Sequence, residues 1–242
     1  MFRAKWAALV VAFLLASGPA ARAADLRFIS VDAPPWGGYD TAGEPTGAFP
    51  DIVREIEHRT GHHVAVSLQS LARIERDLET GEQDCTILLW NEARARYVDR
   101  GDDVYMMTFG VIAAAGIPLR KYEDLHRLTV SVVRNLSIDP RFDQDAAVRK
   151  DFDKDYEIGV KKIAHRRLDG IAGAIPTILW IAKQSGLSDR LGDRLVLTRI
   201  PLALQCSKRS PQIGRIGEIN AAIQAIRADG TLGRILNEHG YF

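Results

Sequence analysis

The stretch Asp84-Cys-Thr-Ile-Leu-Leu-Trp-Asn-Glu-Ala-Arg-Ala-Arg-Tyr-Val-Asp99 decides how this chain is read. Residues 85–90 form an apolar run of strand length, with Asp84 before it and a polar turn after it. The turn predicts the start of a helix, with Arg94 in its first turn. A strand end leading into a helix N-terminus presents free N–H groups and a positive dipole, and an arginine adds a planar donor fork. These are the parts of a site for an anionic group, most naturally a carboxylate.

The same grammar runs upstream. Residues 26–31 read as a strand, and the loop Asp32-Ala-Pro-Pro-Trp-Gly-Gly-Tyr-Asp40 carries two large aromatics, Trp36 and Tyr39. Pro50 opens a helix with Ile52, Val53 and Ile56 on one face and Gly61 as its stop. Residues 63–68 alternate as a strand. Ser70 is placed to cap a helix bearing Leu71, Ile74 and Leu78, which Gly81 ends. Strand, helix, strand, helix, strand is a βαβ array of parallel strands.

Downstream, residues 106–115 form a long β-leaning run, and the pattern begins again. A strand over 128–133 leads through Asn135-Leu136-Ser137 into a charged helical stretch. A helix over 160–168, a strand over 169–175 and a helix over 176–184 follow. A second long β-leaning run covers 195–204, and helices over 216–228 and 232–239 finish the chain. The fold class is α/β, with two lobes of similar plan joined by two crossings, an arrangement that leaves a closable cleft.

Composition narrows the function. Hydrophobic residues are 46% and charged residues 26% of 242, ordinary values for a globular protein. Residues 1–23 are set apart: Arg3 and Lys5, an apolar run over 6–16, a Ser-Gly-Pro break and Ala21-Arg-Ala23 describe a secretory signal peptide cleaved after Ala23. Removing its three basic residues leaves 29 basic against 31 acidic residues, a formal charge of −2. That balance argues against nucleic acid as a partner. After export Cys85 and Cys206 meet an oxidising compartment, and the sequence leaves open a disulfide or two buried small hydrophobes.

Other motifs are weaker. His58, His62 and His63 read as surface histidines near a helix C-terminus before they read as metal ligands. Residues 151–155 begin like a calcium loop, but Tyr156 and Lys162 stand where glycine and glutamate are needed. The chain has no P-loop, dinucleotide fingerprint, nucleophile elbow or paired zinc ligands, so no cofactor or metal is expected. Arg94 has a bland alternative as a surface partner of Glu92 or Asp99, with Arg96 as a second arginine nearby. Trp90 and Trp180 lie in apolar segments that suit core packing.

The ordered pieces resemble the family 3 extracellular solute-binding proteins, the periplasmic components of amino-acid-type ABC importers. The segment 26–36 is similar to the family's opening strand and Pro-Pro-aromatic loop, and Thr46-Gly47 with Asp51-Ile52 to its first helix start. Leu78-Glu-Thr-Gly-Glu-Gln-Asp84 is similar to the segment before its third strand. Asn91-Glu-Ala-Arg94 with Val98-Asp99 resembles its Thr-Pro-Glu-Arg and Val-Asp pattern, and residues 220–235 its C-terminal helix pair.

The resemblance implies a two-lobed type II periplasmic-binding fold. Lobe 1 is then 24–107 plus 205–242, and lobe 2, with the crossing strands, is 108–204. It makes Trp36 the stacking aromatic, Leu71 a second wall, Arg94 the carboxylate clamp with Asn91 in the place of a hydroxyl residue, and Asn135, Leu136 and Ser137 the closing loop of lobe 2. Tyr39 and Trp90 are further candidates for the ligand's apolar face. The departures imply an unusual ligand. Aligning on Asp169 and Gly173 puts Ala174 where amino-acid-binding members carry the aspartate that pairs with the α-ammonium.

The expected function is a monomeric periplasmic receptor that captures a small carboxylate-bearing molecule, not an ordinary α-amino acid, and delivers it to an inner-membrane ABC permease. The alternatives are a dehydratase-like enzyme on the same scaffold and a ligand-sensing accessory module of another exported system.

Overall fold

Apolar runs punctuated by helix-stopping glycines build the first half of the molecule as the spacing predicts. The structure is a computed structural model that describes residues 25–134 and 136–241; the signal-peptide reading and Asn135 lie outside these. In order come β1 (Leu26–Val31), β2 (Gly38–Tyr39), β3 (Pro45–Thr46), α1 (Ala48–Thr60), β4 (Val64–Gln69), α2 (Leu71–Thr80) and β5 (Cys85–Leu89). Helix α1 buries Phe49, Ile52, Val53 and Ile56 along one stripe. Gly61 and Gly81 end α1 and α2 in the left-handed conformation that glycine takes without strain.

The second half comprises β6 (Val98–Ala114), β7 (Thr129–Val133), α3 (Pro140–Gln144), β8 (Arg149–Asp153), α4 (Tyr156–Ala164), β9 (Gly170–Ala174), α5 (Ile175–Gln184), β10 (Leu191–Ser207), α6 (Ile216–Ala228) and α7 (Thr231–Glu238). One eight-stranded sheet runs through both lobes in the order β4-β1-β5-β10-β6-β9-β7-β8. The outer strands on each side are parallel, while β10 runs antiparallel to β5 and β6, and β6 antiparallel to β9. The expected mixed α/β plan with two crossings is therefore present, and the crossings are two 17-residue strands lying side by side.

Two local expectations are corrected. Residues Glu92–Arg96 form a single 3-10 turn and not the start of an α-helix, because β6 begins at Val98 and pairs at once with the end of β10. The charged stretch after the Asn135–Ser137 segment contains β8, the sheet-edge strand pairing with β7, where an exposed edge tolerates charge that a central strand would not. The expected lobe boundaries, after residue 107 and before residue 205, fall inside the continuous strands β6 and β10. Met107 lies opposite Ile200, and Leu202–Leu204 pair with β5. No local signal marks a boundary inside an unbroken strand.

Cys85 and Cys206 face each other across β5 and β10 and are joined in a disulfide, with Cα atoms 4.1 Å apart. The main core is continuous between the lobes through Met107, Phe109 and Leu202 on the crossing strands. Smaller apolar clusters cover the opposite face of the sheet in each lobe.

Candidate functional site

A cavity of about 280 Å³ lies between the lobes, where the ends of β1 and β5 meet the crossing strands. The first lobe supplies Val31, Pro34, Trp36, Leu71, Leu89 and Arg94. The crossing strands supply Met107, Phe109 and Leu202. The second lobe supplies Leu136, Tyr156, Ala174 and Thr177, and the C-terminal Tyr241 completes the wall. The surface is overwhelmingly apolar, with one cation, Arg94, and three hydroxyls. Larger hollows beside His62 and Arg54 lie on outer helix surfaces away from the cleft.

Trp36 is held by its surroundings. Its indole Nε1 donates to Ser30 Oγ at 3.1 Å, and its ring packs 6.1 Å from Phe49 and edge-on, 6.4 Å, to Tyr241. Its carbonyl accepts from Phe49 N–H, and Gly47 passes so close that a Cβ there would lie 2.8 Å from that carbonyl oxygen. Trp36 is thus both core and cavity wall. Leu71, at the first turn of α2, is 47% exposed and borders the cavity.

Arg94 is buried, which is costly for a cation unless it is paired. Its Nη1 donates to the Leu89 carbonyl at 2.7 Å, and its Nε and Nη2 both donate to a single oxygen, Glu75 Oε1, at 3.3 and 3.2 Å. The bland partners Glu92 and Asp99 are not the ones it takes. Glu92 instead accepts from the Trp90 indole, and Arg96 lies 3.9 Å from Glu79.

The second lobe contributes hydroxyls. Tyr156 packs its ring against Gly173, where a Cβ would come within 2.2 Å, and its hydroxyl accepts from Ala174 N–H at 3.0 Å. Burial pushes its pKa up to about 12. Tyr241 is 5% exposed, and burial, aided by neighbouring Tyr105, raises its pKa above the ordinary tyrosine range against the lowering effect of a hydrogen bond with Thr177. Both are neutral hydroxyls at physiological pH.

Several expected ligand contacts point elsewhere. Tyr39 is exposed on β2 and exchanges hydrogen bonds with the backbone of Leu68, because the short hairpin turns it outward. Trp90 is not among the lining residues; it packs against the cluster that contains Ile29 and Leu88, with Arg100 stacked over its ring at 5.3 Å. Asn91 caps the 3-10 turn by accepting from Ala93 N–H, and Ser137 donates to Asp143. Leu136 and Ala174 do line the cavity. Beyond the expected residues, Tyr156, Thr177 and Tyr241 line the cavity, and Glu75 pairs with Arg94. Glu75 was readable, since it follows Leu71 by four residues on the same face of α2.

Among the described residues no group of side chains suits a metal ion. His62 instead faces Glu218 and Arg215, and His63 faces Glu57.

Comparison with known proteins bears on the fold. An ancestral cationic amino acid solute-binding protein superposes with a TM-score of 0.75 at 17% identity, covering 89% of this chain and 95% of that one. The second substrate-binding domain of a putative amino acid ABC transporter from Streptococcus pneumoniae gives 0.73 at 15% identity, with 89% and 99% covered. A periplasmic His/Glu/Gln/Arg/opine family-binding protein from Silicibacter pomeroyi, in complex with lysine, gives 0.66 at 17%, with 89% and 97% covered. A sequence comparison with curated proteins returns no match. The type II periplasmic-binding fold is common to these neighbours, and the model of one family matches residues 27–241 of this chain. The chain belongs to the bacterial extracellular solute-binding proteins, family 3.

Proposed function

We propose that the protein is a monomeric periplasmic receptor for a small, largely apolar organic acid, captured between the lobes and handed to an inner-membrane ABC permease. The observation that carries this reading is a buried guanidinium, Arg94, set in walls that include no carboxylate among the described lining residues. An acid group has Arg94 to meet, and the rest of the molecule has Trp36, Phe109 and Leu202 to pack on. An α-ammonium has no such partner, because Ala174 stands where the family resemblance implies an aspartate. Leaving a buried ammonium unpaired costs on the order of several kcal/mol.

The cavity offers no carboxyl or imidazole among those residues, and a tyrosine near pH 12 is a poor proton donor at neutrality. These features favour a receptor over the dehydratase-like alternative.

Native mass spectrometry of the purified protein is the direct test, with a retained small acid as the expected result. Calorimetry with that molecule should show Arg94→Leu losing at least about 30-fold in affinity, the size expected when a buried charge pair is truncated. Micromolar binding of any common amino acid overturns the reading.

A further inference from the structure

Arg94 is not waiting empty-handed. Its fork is held by Glu75, and the two partners sit in unlike surroundings: the Arg94 side chain is 7% exposed and the Glu75 side chain 43%. The cation is committed to the interior, while the carboxylate reaches it from α2 outside the residues that line the cavity and is half in solvent. Glu75 also makes an incomplete partner. One of its oxygens serves both Nε and Nη2 at 3.2–3.3 Å, whereas a carboxylate presented end-on engages a guanidinium with both oxygens. The other charges of α2 do not compete for it, since Arg73 and Arg76 both pair with Asp77.

We infer that Glu75 is a specificity-determining residue of this site: it stands in for the ligand's acid group when the cavity is empty and is displaced by it on binding. The inference rests on the reading of the ligand as an acid. The physical logic has two parts. An empty cavity would otherwise hold a buried, uncompensated guanidinium, so a counter-charge from the same chain keeps Arg94 ionically satisfied and oriented. Being tethered, that counter-charge also competes at high effective concentration. A solute must outbid Glu75 to reach the fork. A molecule with both carboxylate oxygens and an apolar body can do so, whereas a neutral amide or alcohol cannot. Glu75 thus trades affinity for discrimination: if it occupies Arg94 in nine of ten molecules, it weakens acid binding about tenfold. Once displaced, it needs no new protein partner because it already borders solvent.

Acetate is the probe, as the smallest stable carboxylate, with acetamide and chloride as controls. Thermal unfolding is followed for the wild type, Glu75→Gln and the double variant Glu75→Gln/Arg94→Leu. Glu75→Gln should melt below the wild type and be restored by acetate but by neither control. The wild type should respond about tenfold less sensitively in acetate concentration, and the double variant should not respond. An equal, Arg94-dependent acetate response in wild type and Glu75→Gln overturns the role of Glu75 while leaving the acid reading intact. No acetate response in Glu75→Gln, or one that persists without Arg94, also overturns it. The acid reading is judged separately, by the molecule retained on the purified protein.

Discussion

At the scale of single residues, the site is a set of aromatic and aliphatic walls around one paired cation. Trp36 and Trp90 make the clearest contrast. Both are tryptophans near strand ends, yet Trp36 borders the cavity and Trp90 packs beneath Arg100, outside the lining residues. Intrinsic fluorescence should therefore change on ligand binding in the wild type and in Trp90→Phe, and lose most of that change in Trp36→Phe. A change that disappears with Trp90 instead would contradict the assignment. The same contrast shows the limit of motif reading. Trp36 was legible from its Pro/Gly loop, whereas Tyr39, three residues on, is turned out by the β2–β3 hairpin and bonds to the backbone of Leu68.

At the scale of elements, β5 is tied at its start in two ways. Asp84 is buried, which by itself would raise its pKa. Hydrogen bonds from the Arg27 side chain, Ser210 and the Arg27 N–H outweigh that and hold it below the usual carboxylate range. A carboxyl with a depressed folded-state pKa contributes stability that is complete above the unfolded value of about 4 and is lost as pH falls through the lower folded value. Asp84→Asn should cost about 1–2 kcal/mol near pH 7, a range that allows for solvent screening of Arg27, which is 39% exposed. It should also flatten the decline in stability below pH 4 in acid titrations of urea unfolding. The second tie is the disulfide one residue later. It closes a loop of 121 residues between β5 and β10, and replacing both cysteines by serine should cost about 3 kcal/mol in denaturant midpoint experiments. Reductant should lower the wild type to about the same midpoint and leave the variant unmoved.

At the scale of the whole molecule, the lobes share one sheet and meet through two antiparallel strands. The β6–β10 pairing is interrupted by register shifts between Val196 and Thr198 and again between Leu202 and Gln205, the latter starting at the cavity-lining Leu202. Such irregularities are where a strand pair bends. They bracket Arg199–Pro201, opposite Met106–Thr108, the segment expected to bend if the lobes close on a ligand. A ligand bridging the lobes stabilises the closed arrangement by its differential contacts. Solution scattering should accordingly show a smaller radius of gyration with the retained ligand than without it, at unchanged mass. An unchanged radius would place the ligand within one lobe.

Local sequence determined the alternation of strands and helices, the glycine stops, the two long crossing runs and Arg94 at the end of β5. Apolar period, cap chemistry and turn residues act over a few positions and need no partner. They could not determine which side chains converge. Glu75 reaches Arg94 from another element, and Tyr241 joins a wall built 205 residues earlier at Trp36. Cys85 meets Cys206 because β5 and β10 pair in one register. The edge strand β8 was invisible because its charges suit solvent as well in a strand as in a helix. These contacts depend on sheet order and strand register, which fix distances between residues far apart in the chain, and those are properties of the assembled fold.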